Sequence, residues 1–181
     1  GTCGDNLSWT LDEAGLLTIS GTGAMDSYTS STTPWNLYRN KIEQVKIEDG
    51  VTYIGQYAFA YCDSMASATI PNSVNNIGYY AFEYCTALTE VNIPGSVRNI
   101  GYMAFYGCKN LTTVTISEGV KSIGNYAFAS CTALDNVIIP NSVTSIGGHA
   151  FHHCSNLAFV GIMNPGCGID DSVYTLGIAG T

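Results

Sequence analysis

A thiol occurs at every 23rd position over much of the chain, and thiols are its side chains best suited to metal binding or redox chemistry. The five members of this series are Cys62, Cys85, Cys108, Cys131 and Cys154. A metal site needs several ligands around one ion, with spacings such as Cys-x2–4-Cys, whereas successive thiols here are separated by a whole repeat. We therefore interpret the series as small buried hydrophobes with free thiols, with a redox or metal role as the alternative. Cys3 and Cys167 lie outside the series, and we do not expect them to bridge each other.

The three histidines, His149, His152 and His153, are the second group of possible ligands. His149 and His153 have the i, i+4 spacing that can hold a transition metal on a helix. The sequence places no third ligand near them, so a solvent-facing cluster is favoured over a metal site. No Ser–His–Asp or Cys–His arrangement is favoured either, and we predict no catalytic residue, no cofactor, no metal and no enzyme activity.

The elements around the thiols repeat with the same step as the thiols themselves. The unit reads Val-x-Ile-Pro-x-x-Val-x-x-Ile-Gly-x-x-Ala-Phe-x-x-Cys-x-x-Leu-x-x, with copies beginning at Val45, Ala68, Val91, Val114 and Val137. Alternation in Val-x-Ile predicts a half-buried strand, and Phe and Cys at i and i+3 predict one face of a short helical turn. A period of this length is typical of a solenoid, in which each unit buries its core against its neighbours.

The repeat divides the chain into three parts. Residues 1–44 are predicted to be an N-terminal cap with a β-hairpin and a loop, 45–159 five repeats, and 160–181 a degenerate terminal repeat in one continuous domain. The two tryptophans, Trp9 and Trp35, both lie in the cap. We expect them to cover the open end of the core, with an aromatic binding platform as the alternative.

Composition restricts the class of partner. Charged residues make up 11% of the chain, and the net charge is −8. Nucleic acid is excluded as a partner, because the basic stripe that would neutralise phosphates is missing. No apolar run approaches the length of about 20 residues that a membrane-spanning helix needs. We expect a monomer that presents an uncharged polar surface to a protein or a glycan.

These residues resemble the BspA-like leucine-rich repeats of bacterial surface proteins. The resemblance rests on the repeated Ile-Pro-x-x-Val-x-x-Ile-Gly-x-x-Ala-Phe-x-x-Cys-x-x-Leu pattern from Val45 to about Tyr174, and on a cap-like opening at residues 3–11 and 17–25. We predict an α/β fold, a right-handed leucine-rich repeat solenoid built from a strand and a short helical turn. The resemblance implies a secreted or surface-attached protein without catalytic residues, and we expect that a signal peptide has been removed.

Two surfaces are candidates for binding. The first is the outward side of the repeated strand, which solenoids commonly use; it comprises Lys46, Thr69, Glu90, Asn92, Thr113, Thr115, Asn136 and Ile138. The second is an aromatic row on the turns, where tyrosine offers contact area at low entropic cost; it comprises Tyr57, Tyr61, Tyr80, Tyr84, Tyr106 and Tyr126. Lateral packing between turns is the other interpretation of the tyrosines.

The predicted function is a non-enzymatic, extracellular adhesion or protein-recognition module. A glycan-binding module that uses the tyrosine rows is the alternative, and a structural spacer within a larger surface protein is a third possibility. These three functions differ in which surface binds and in what chemical class of partner it takes.

Overall fold

Residues 1–169 are described by the computed structural model, and within them short strands follow one another at the repeat interval. The strands are β1 (Thr2–Gly4), β2 (Leu7–Leu11), β3 (Leu16–Gly21), β4 (Gly23–Ala24), β5 (Gln44–Ile47), β6 (Val51–Ile54), β7 (Ser67–Thr69), β8 (Asn76–Ile77), β9 (Glu90–Ile93), β10 (Asn99–Ile100), β11 (Thr113–Ile116), β12 (Ser122–Ile123), β13 (Asn136–Ile139), β14 (Ser145–Ile146), β15 (Phe159–Ile162) and β16 (Gly168–Ile169). One 3-10 helix, Asn36–Lys41, lies between β4 and β5 in the described part of the chain.

Two sides of the solenoid are formed by parallel strands that pair one repeat apart. On the first side, β5, β7, β9, β11, β13 and β15 lie next to each other, divided between two sheets. On the second side, the even-numbered strands from β4 to β16 form one sheet. Pairing of Val114 with Val91, the equivalent residue of the preceding repeat, shows the sequence period directly. Repeated sequence therefore becomes stacked rungs of a solenoid, as predicted.

Alternation in the strand sequence decides which residues face the core. In β9, β11 and β13, exposed and buried residues alternate, and the Val and Ile of the Val-x-Ile pattern are the buried ones. The second apolar pair, such as Val74 and Ile77, is also buried. Each rung is too small to shield these side chains alone, so the core is continuous along the solenoid.

The cap begins with antiparallel strands. β2 pairs antiparallel with β1 and with β3, and β3 then pairs parallel with β5. Trp35 is fully buried and stacks on Phe59 at a centroid distance of 5.5 Å, while its indole Nε1 donates to the carbonyl of Ala58 at 2.8 Å. Trp35 thus covers the first phenylalanine of the core, the role expected of it.

The predicted helical turn is wrong. Residues 55–62 and their equivalents, here called the turn segments, form successive β-turns, with no helix among the described residues of the repeats. The N–H of Ala60 donates to the carbonyl of Tyr57 within the segment, whereas the N–H of Phe59 donates to Ala81 of the next rung at 2.7 Å. Alternate N–H groups therefore form a third ladder between rungs. The fold is a β-solenoid and not the α/β class that we predicted.

Left-handed backbone explains why the turn segment cannot continue as a helix. Tyr57 and Tyr61 have φ angles of 56° and 61°, a region that non-glycine residues rarely adopt. The same two positions have positive φ in the later rungs, at Tyr80, Tyr84, Met103, Gly107, Tyr126, Ser130, His149 and His153. Bonds to the neighbouring rung compensate for this local strain, of order 1–3 kcal/mol per residue.

Phenylalanine and cysteine fill the core behind the turn segments. The phenylalanine rings stack along the axis at centroid distances such as 5.0 Å between Phe82 and Phe105, and we call this series the Phe ladder (Phe59, Phe82, Phe105, Phe128 and Phe151). The thiol of Cys108 donates to the carbonyl of Phe82, 3.2 Å away. Cys85, Cys131 and Cys154 repeat this bond to the preceding rung.

The last described rung continues the same pairing. β15 pairs in parallel with β13, and β16 with β14, so residues 160–169 of the predicted terminal repeat belong to the solenoid. The remainder of that predicted repeat, residues 170–181, lies outside the described residues. The predicted right-handed coil direction stays a prediction.

Candidate functional site

The strand face, defined as the outward residues of β5, β7, β9, β11, β13 and β15, carries all eight residues predicted for it. Each of them is exposed: Lys46, Thr69, Glu90, Asn92, Thr113, Thr115, Asn136 and Ile138. Pairing aligns them in two rows, with Thr113 beside Glu90 and Thr115 beside Asn92. The structure therefore places these side chains on one solvent-exposed side of the solenoid.

Charge is sparse on the strand face. Lys46 and Glu48 form an ion pair of 3.1 Å at its N-terminal end, and Glu90 is its exposed carboxylate near the middle. The remaining side chains of the two rows are hydroxyl, amide or apolar. Such a surface offers many hydrogen bonds and little long-range electrostatic attraction, so it suits contact recognition better than the steering of a charged ligand.

A shallow groove on the strand face is lined by residues of β7, β9 and β11. β7 pairs with β5, but the sheets of the described chain are interrupted between β7 and β9. The groove has a volume of about 250 Å³, and its lining includes Ala68, Glu90, Asn92 and Thr115. Ala68 occupies the position that holds valine in the other copies.

An exposed apolar patch lies at the C-terminal end of the strand face. Ile138 is 61% exposed and Phe159 is 54% exposed. The ring of Phe159 lies over Gly161, which pairs with Ile138. Met163 is also exposed. We call Ile138, Phe159 and Met163 the apolar patch.

Sequence reasoning found Ile138 and missed the other two members of the patch. Phe159 lies one repeat after Asn136, and Met163 lies one repeat after Pro140. Aligning the terminal repeat on its predecessors would have shown an aromatic ring where the earlier strands carry Gln44, Ser67, Glu90, Thr113 and Asn136. For Phe159 the missed signal was a change from polar to apolar at a repeated, outward position.

The turn segments align the predicted tyrosines in rows, and within each row successive rings pack against each other. Tyr57 and Tyr80 stack at 4.5 Å with an interplanar angle of 3°, and Tyr61 stacks on Tyr84 at 5.3 Å. Tyr84 in turn meets the edge of Tyr106 at 5.3 Å.

The row continues beyond these rings. Tyr126 meets Tyr102 edge to face and stacks on His149 at 4.8 Å. Arg39 lies over the ring of Tyr61, 5.7 Å from its centroid. Neighbours thus cover much of the ring surface in the rows.

Glu83 is the one charged side chain that is buried among the described residues, and it lies on the turn segment between Tyr80 and Tyr84 in sequence. Burial raises the pKa of its carboxyl group, and a hydrogen bond with Tyr61 partly opposes that shift. Burial, with Glu83 nearby, also raises the pKa of Tyr57 and of Tyr61. These contacts make the outward side of the turn segments, here called the turn edge, a packed polar cluster.

The thiols and histidines lie apart from the strand face. All seven cysteines are free, and burial raises the pKa of both Cys62 and Cys154 to about 12. At these two residues the thiolate, the nucleophilic and metal-binding form, is therefore disfavoured at neutral pH. The ring of His152 packs against those of His153 and His149, at centroid distances of 3.8 and 5.2 Å. Residues 1–169 contain no group of three or more His, Cys, Asp or Glu side chains arranged to hold a metal.

Comparison with known families agrees with this architecture. A sequence model of the BspA-type leucine-rich repeat region matches residues 36–158 in six copies. The chain belongs to the BspA-type leucine-rich repeat family. Proteins of this family are, in general, non-enzymatic scaffolds that recognise other proteins. Searching curated proteins returns no match.

Solved structures with similar folds are also bacterial leucine-rich repeat proteins. One from T. pallidum has a TM-score of 0.68 and 27% identity, covering 88% of this chain and 81% of that one. A protein from Bacteroides ovatus has a TM-score of 0.64 and 29% identity, with 90% of this chain and 44% of that one covered. A leucine-rich cell surface protein from Faecalibacterium prausnitzii has a TM-score of 0.58 and 25% identity, over 90% and 54% of the two chains. This BspA-type chain therefore spans about half the length of the latter two. In the described part, none of its helices has the length and apolar character needed to span a bilayer.

Proposed function

We propose that this BspA-type chain is a non-enzymatic, extracellular adhesion or protein-recognition module that binds its partner through the strand face. The observation that carries the proposal is the apolar patch next to the rows of hydroxyl and amide side chains. Ile138 and Phe159 expose large apolar surfaces that the solenoid itself does not cover. Protein interfaces typically combine a few such apolar anchors with a surrounding polar rim.

Location at the bacterial cell surface is part of the same proposal. Its support is the family and the similar cell surface protein of Faecalibacterium prausnitzii. A surface with few charges also agrees with contact recognition under variable ionic conditions, because screening by salt affects uncharged contacts little.

A glycan partner on the tyrosine rows is the weaker proposal. Sugars bind aromatic side chains through an open ring face. Tyr57 and Tyr80 cover each other's faces at 4.5 Å, and Arg39 lies over the ring of Tyr61. Lateral packing of the tyrosines therefore explains the rows better than sugar stacking does.

A binding comparison between two single variants tests the choice of surface. Ile138→Asp places a charge in the apolar patch, while Tyr79→Ser changes a side chain of similar exposure, 57% against 61%, on the turn edge. Wild type and both variants would be applied to one array of secreted and surface protein ectodomains and one of glycans. We expect a protein target whose affinity falls at least tenfold, about 1.4 kcal/mol, in Ile138→Asp and is unchanged in Tyr79→Ser.

Circular dichroism of each variant would establish that it is folded. Loss of binding in Tyr79→Ser with retention in Ile138→Asp would reject the strand face. Absence of any target on both arrays would favour the spacer function instead.

A further inference from the structure

A cavity in the cap lies away from the strand face and the tyrosine rows. Its volume is about 580 Å³, within the range of pockets that bind small ligands. We call it the cap cavity, and it is lined by Trp9, Leu11, Asp12, Glu13, Gly15, Tyr38 and Lys41. None of these residues has a role in the strand-face proposal, so the two sites can be tested independently.

Two aromatic rings form the apolar part of the cap cavity. Trp9 and Tyr38 approach to 6.4 Å between centroids at an interplanar angle of 47°. Trp9 also meets the edge of the buried Trp35 at 5.8 Å, which holds the indole in place. Unlike the parallel pair of Tyr57 and Tyr80, the tilted pair encloses a corner between its rings. Tyr38 is 43% exposed, so part of its ring remains available.

The strand pattern explains why Trp9 and Leu11 stand at this corner. In β2 they alternate with exposed Ser8 and Thr10, on the same side as buried Leu7. No further parallel rung covers them in the described chain, because β2 lies beyond β3 in the order of the sheet. The 3-10 helix provides the opposite wall through Tyr38 and Lys41.

Backbone bonds hold the two walls together. The N–H groups of Glu43 and Gln44 both donate to the carbonyl of Gly15, at 2.9 and 3.2 Å. Gly15 has a φ angle of 80°, and a side chain there would strike the carbonyl of Lys41. The hairpin turn is therefore attached to the end of the 3-10 helix, and the cavity is largely formed before any ligand binds.

The polar groups of the cap cavity have both signs of charge. Asp12 and Glu13 supply carboxylates that accept hydrogen bonds, and Lys41 supplies an ammonium group that donates them. One oxygen of Asp12 already accepts the N–H of Leu16 at 2.9 Å, which orients the carboxylate. A cationic ligand would meet Lys41 and an anionic one would meet the carboxylates. The hydroxyl groups of a neutral ligand can donate hydrogen bonds to the carboxylates and accept them from the ammonium group of Lys41.

We propose that the cap cavity is a binding site for a neutral glycan, with the carbon face of a pyranose ring against Trp9 and Tyr38 and its hydroxyl groups bonded to Asp12, Glu13 and Lys41. The volume accommodates a short saccharide and not an extended protein surface. This proposal moves glycan recognition from the stacked tyrosines of the turn edge to the open aromatic corner of the cap.

Intrinsic fluorescence provides a direct test, because the chain has two tryptophans and Trp35 is fully buried. The probes are the methyl glycosides of glucose, galactose, mannose and N-acetylglucosamine, followed by an array of neutral and acidic glycans. We expect at least one neutral glycoside to change the emission at millimolar concentration. Trp9→Phe, which retains an aromatic ring, should remove that change while the emission of Trp35 remains.

A matched pair on the 3-10 helix separates the cavity from its surroundings. Tyr38→Ala removes one ring of the corner, and Leu37→Ala truncates the preceding, 89% exposed side chain, which does not line the cavity. Affinity for the glycoside should fall at least tenfold in Tyr38→Ala and change less than twofold in Leu37→Ala. Tetramethylammonium chloride serves as the cationic probe.

Several results would overturn the proposal. These are an absence of response to all the neutral glycosides and array glycans, an equal loss in both helix variants, or a response to tetramethylammonium alone. The strand-face variant Ile138→Asp should bind the glycoside as the wild type does, so failure of either proposal is visible without the other.

Discussion

The turn edge and the strand face both present side chains that recur at the same step along the sequence, but these side chains contact their neighbours differently. On the turn edge, Tyr57 stacks on Tyr80, and behind it the Phe ladder runs through four stacked contacts. On the strand face, Lys46, Thr69 and Asn92 follow one another without a common chemistry. The Phe ladder, which packs on its own copies in the core, retains phenylalanine in every rung, while a position that faces solvent is free to vary. Recognition is therefore expected in the variable rows.

The largest difference between the two regions should be found at the centre of the Phe ladder. Phe105 stacks on Phe82 at 5.0 Å and on Phe128 at 5.2 Å, and it is fully buried. Phe105→Ala should lower the free energy of unfolding by about 3–5 kcal/mol, because it removes apolar contacts and leaves a cavity. Urea denaturation followed by circular dichroism measures this change.

Asn92→Ala is the strand-face control from the same repeat. Asn92 is exposed, so its truncation should change the free energy of unfolding by no more than about 0.5 kcal/mol. Similar losses in the two variants would show that the strand face is packed as tightly as the ladder, and the contrast between the regions would disappear.

A smaller effect is expected in the cysteine column. The thiol of Cys108 is fully buried and donates to the carbonyl of Phe82 at 3.2 Å. Cys108→Ser should lower the free energy of unfolding by about 1–2 kcal/mol, because serine can keep the hydrogen bond but buries a more polar atom. Cys167→Ser, outside the column and partly exposed, is the control. If both serine variants have the stability of the wild type, the column does not act as apolar packing.

Much of the fold can be predicted from the repeat length and from the alternation of apolar and polar residues in the strands. The conformation of the turn segments cannot. Val91 and Ile93 flank a single exposed residue and recur as Val114 and Ile116 in the next repeat, and these facts predict stacked strands with a buried side. Phe82 and Cys85 at i and i+3 also fit a helix, but Tyr80 and Tyr84 take left-handed φ angles. That choice depends on bonds to the next rung, such as the one from the N–H of Tyr84 to the carbonyl of Tyr106. No local pattern contains this information.

The candidate sites show the same division. All eight strand-face residues could be predicted from alternation alone, because an outward position in one rung is outward in the next. The cap cavity could not be predicted, since Trp9, Asp12 and Tyr38 meet only when the 3-10 helix folds back on the hairpin. No sequence pattern distinguishes Trp9 from Trp35, whereas in the structure Trp9 lines the cap cavity and Trp35 is a buried core residue.

The smallest effect should come from the buried carboxylate of the turn edge. Burial raises the pKa of Glu83 above its ordinary value of 4.5, so the folded protein holds the proton more tightly than the unfolded chain. Stability is therefore highest below pH 4.5 as far as this group is concerned, and it falls as the pH rises through the folded pKa. Glu83→Gln, which can still accept a hydrogen bond from Tyr61, should increase the free energy of unfolding at pH 7 by less than the Cys108 effect.

Glu90→Gln makes the same charge change on the strand face, where the side chain is exposed. Urea denaturation of both variants at pH 7 and at pH 4 measures the difference. The gain in Glu83→Gln should shrink on acidification, because protonated glutamate and glutamine are then nearly equivalent, while Glu90→Gln should show little gain at either pH. If both variants gained the same free energy of unfolding at pH 7, the cause would be the net charge of −8 and not burial between the tyrosines. A larger gain in Glu83→Gln than in Glu90→Gln would show that the turn edge and the strand face differ in how they accommodate a charge as well as in how their side chains stack.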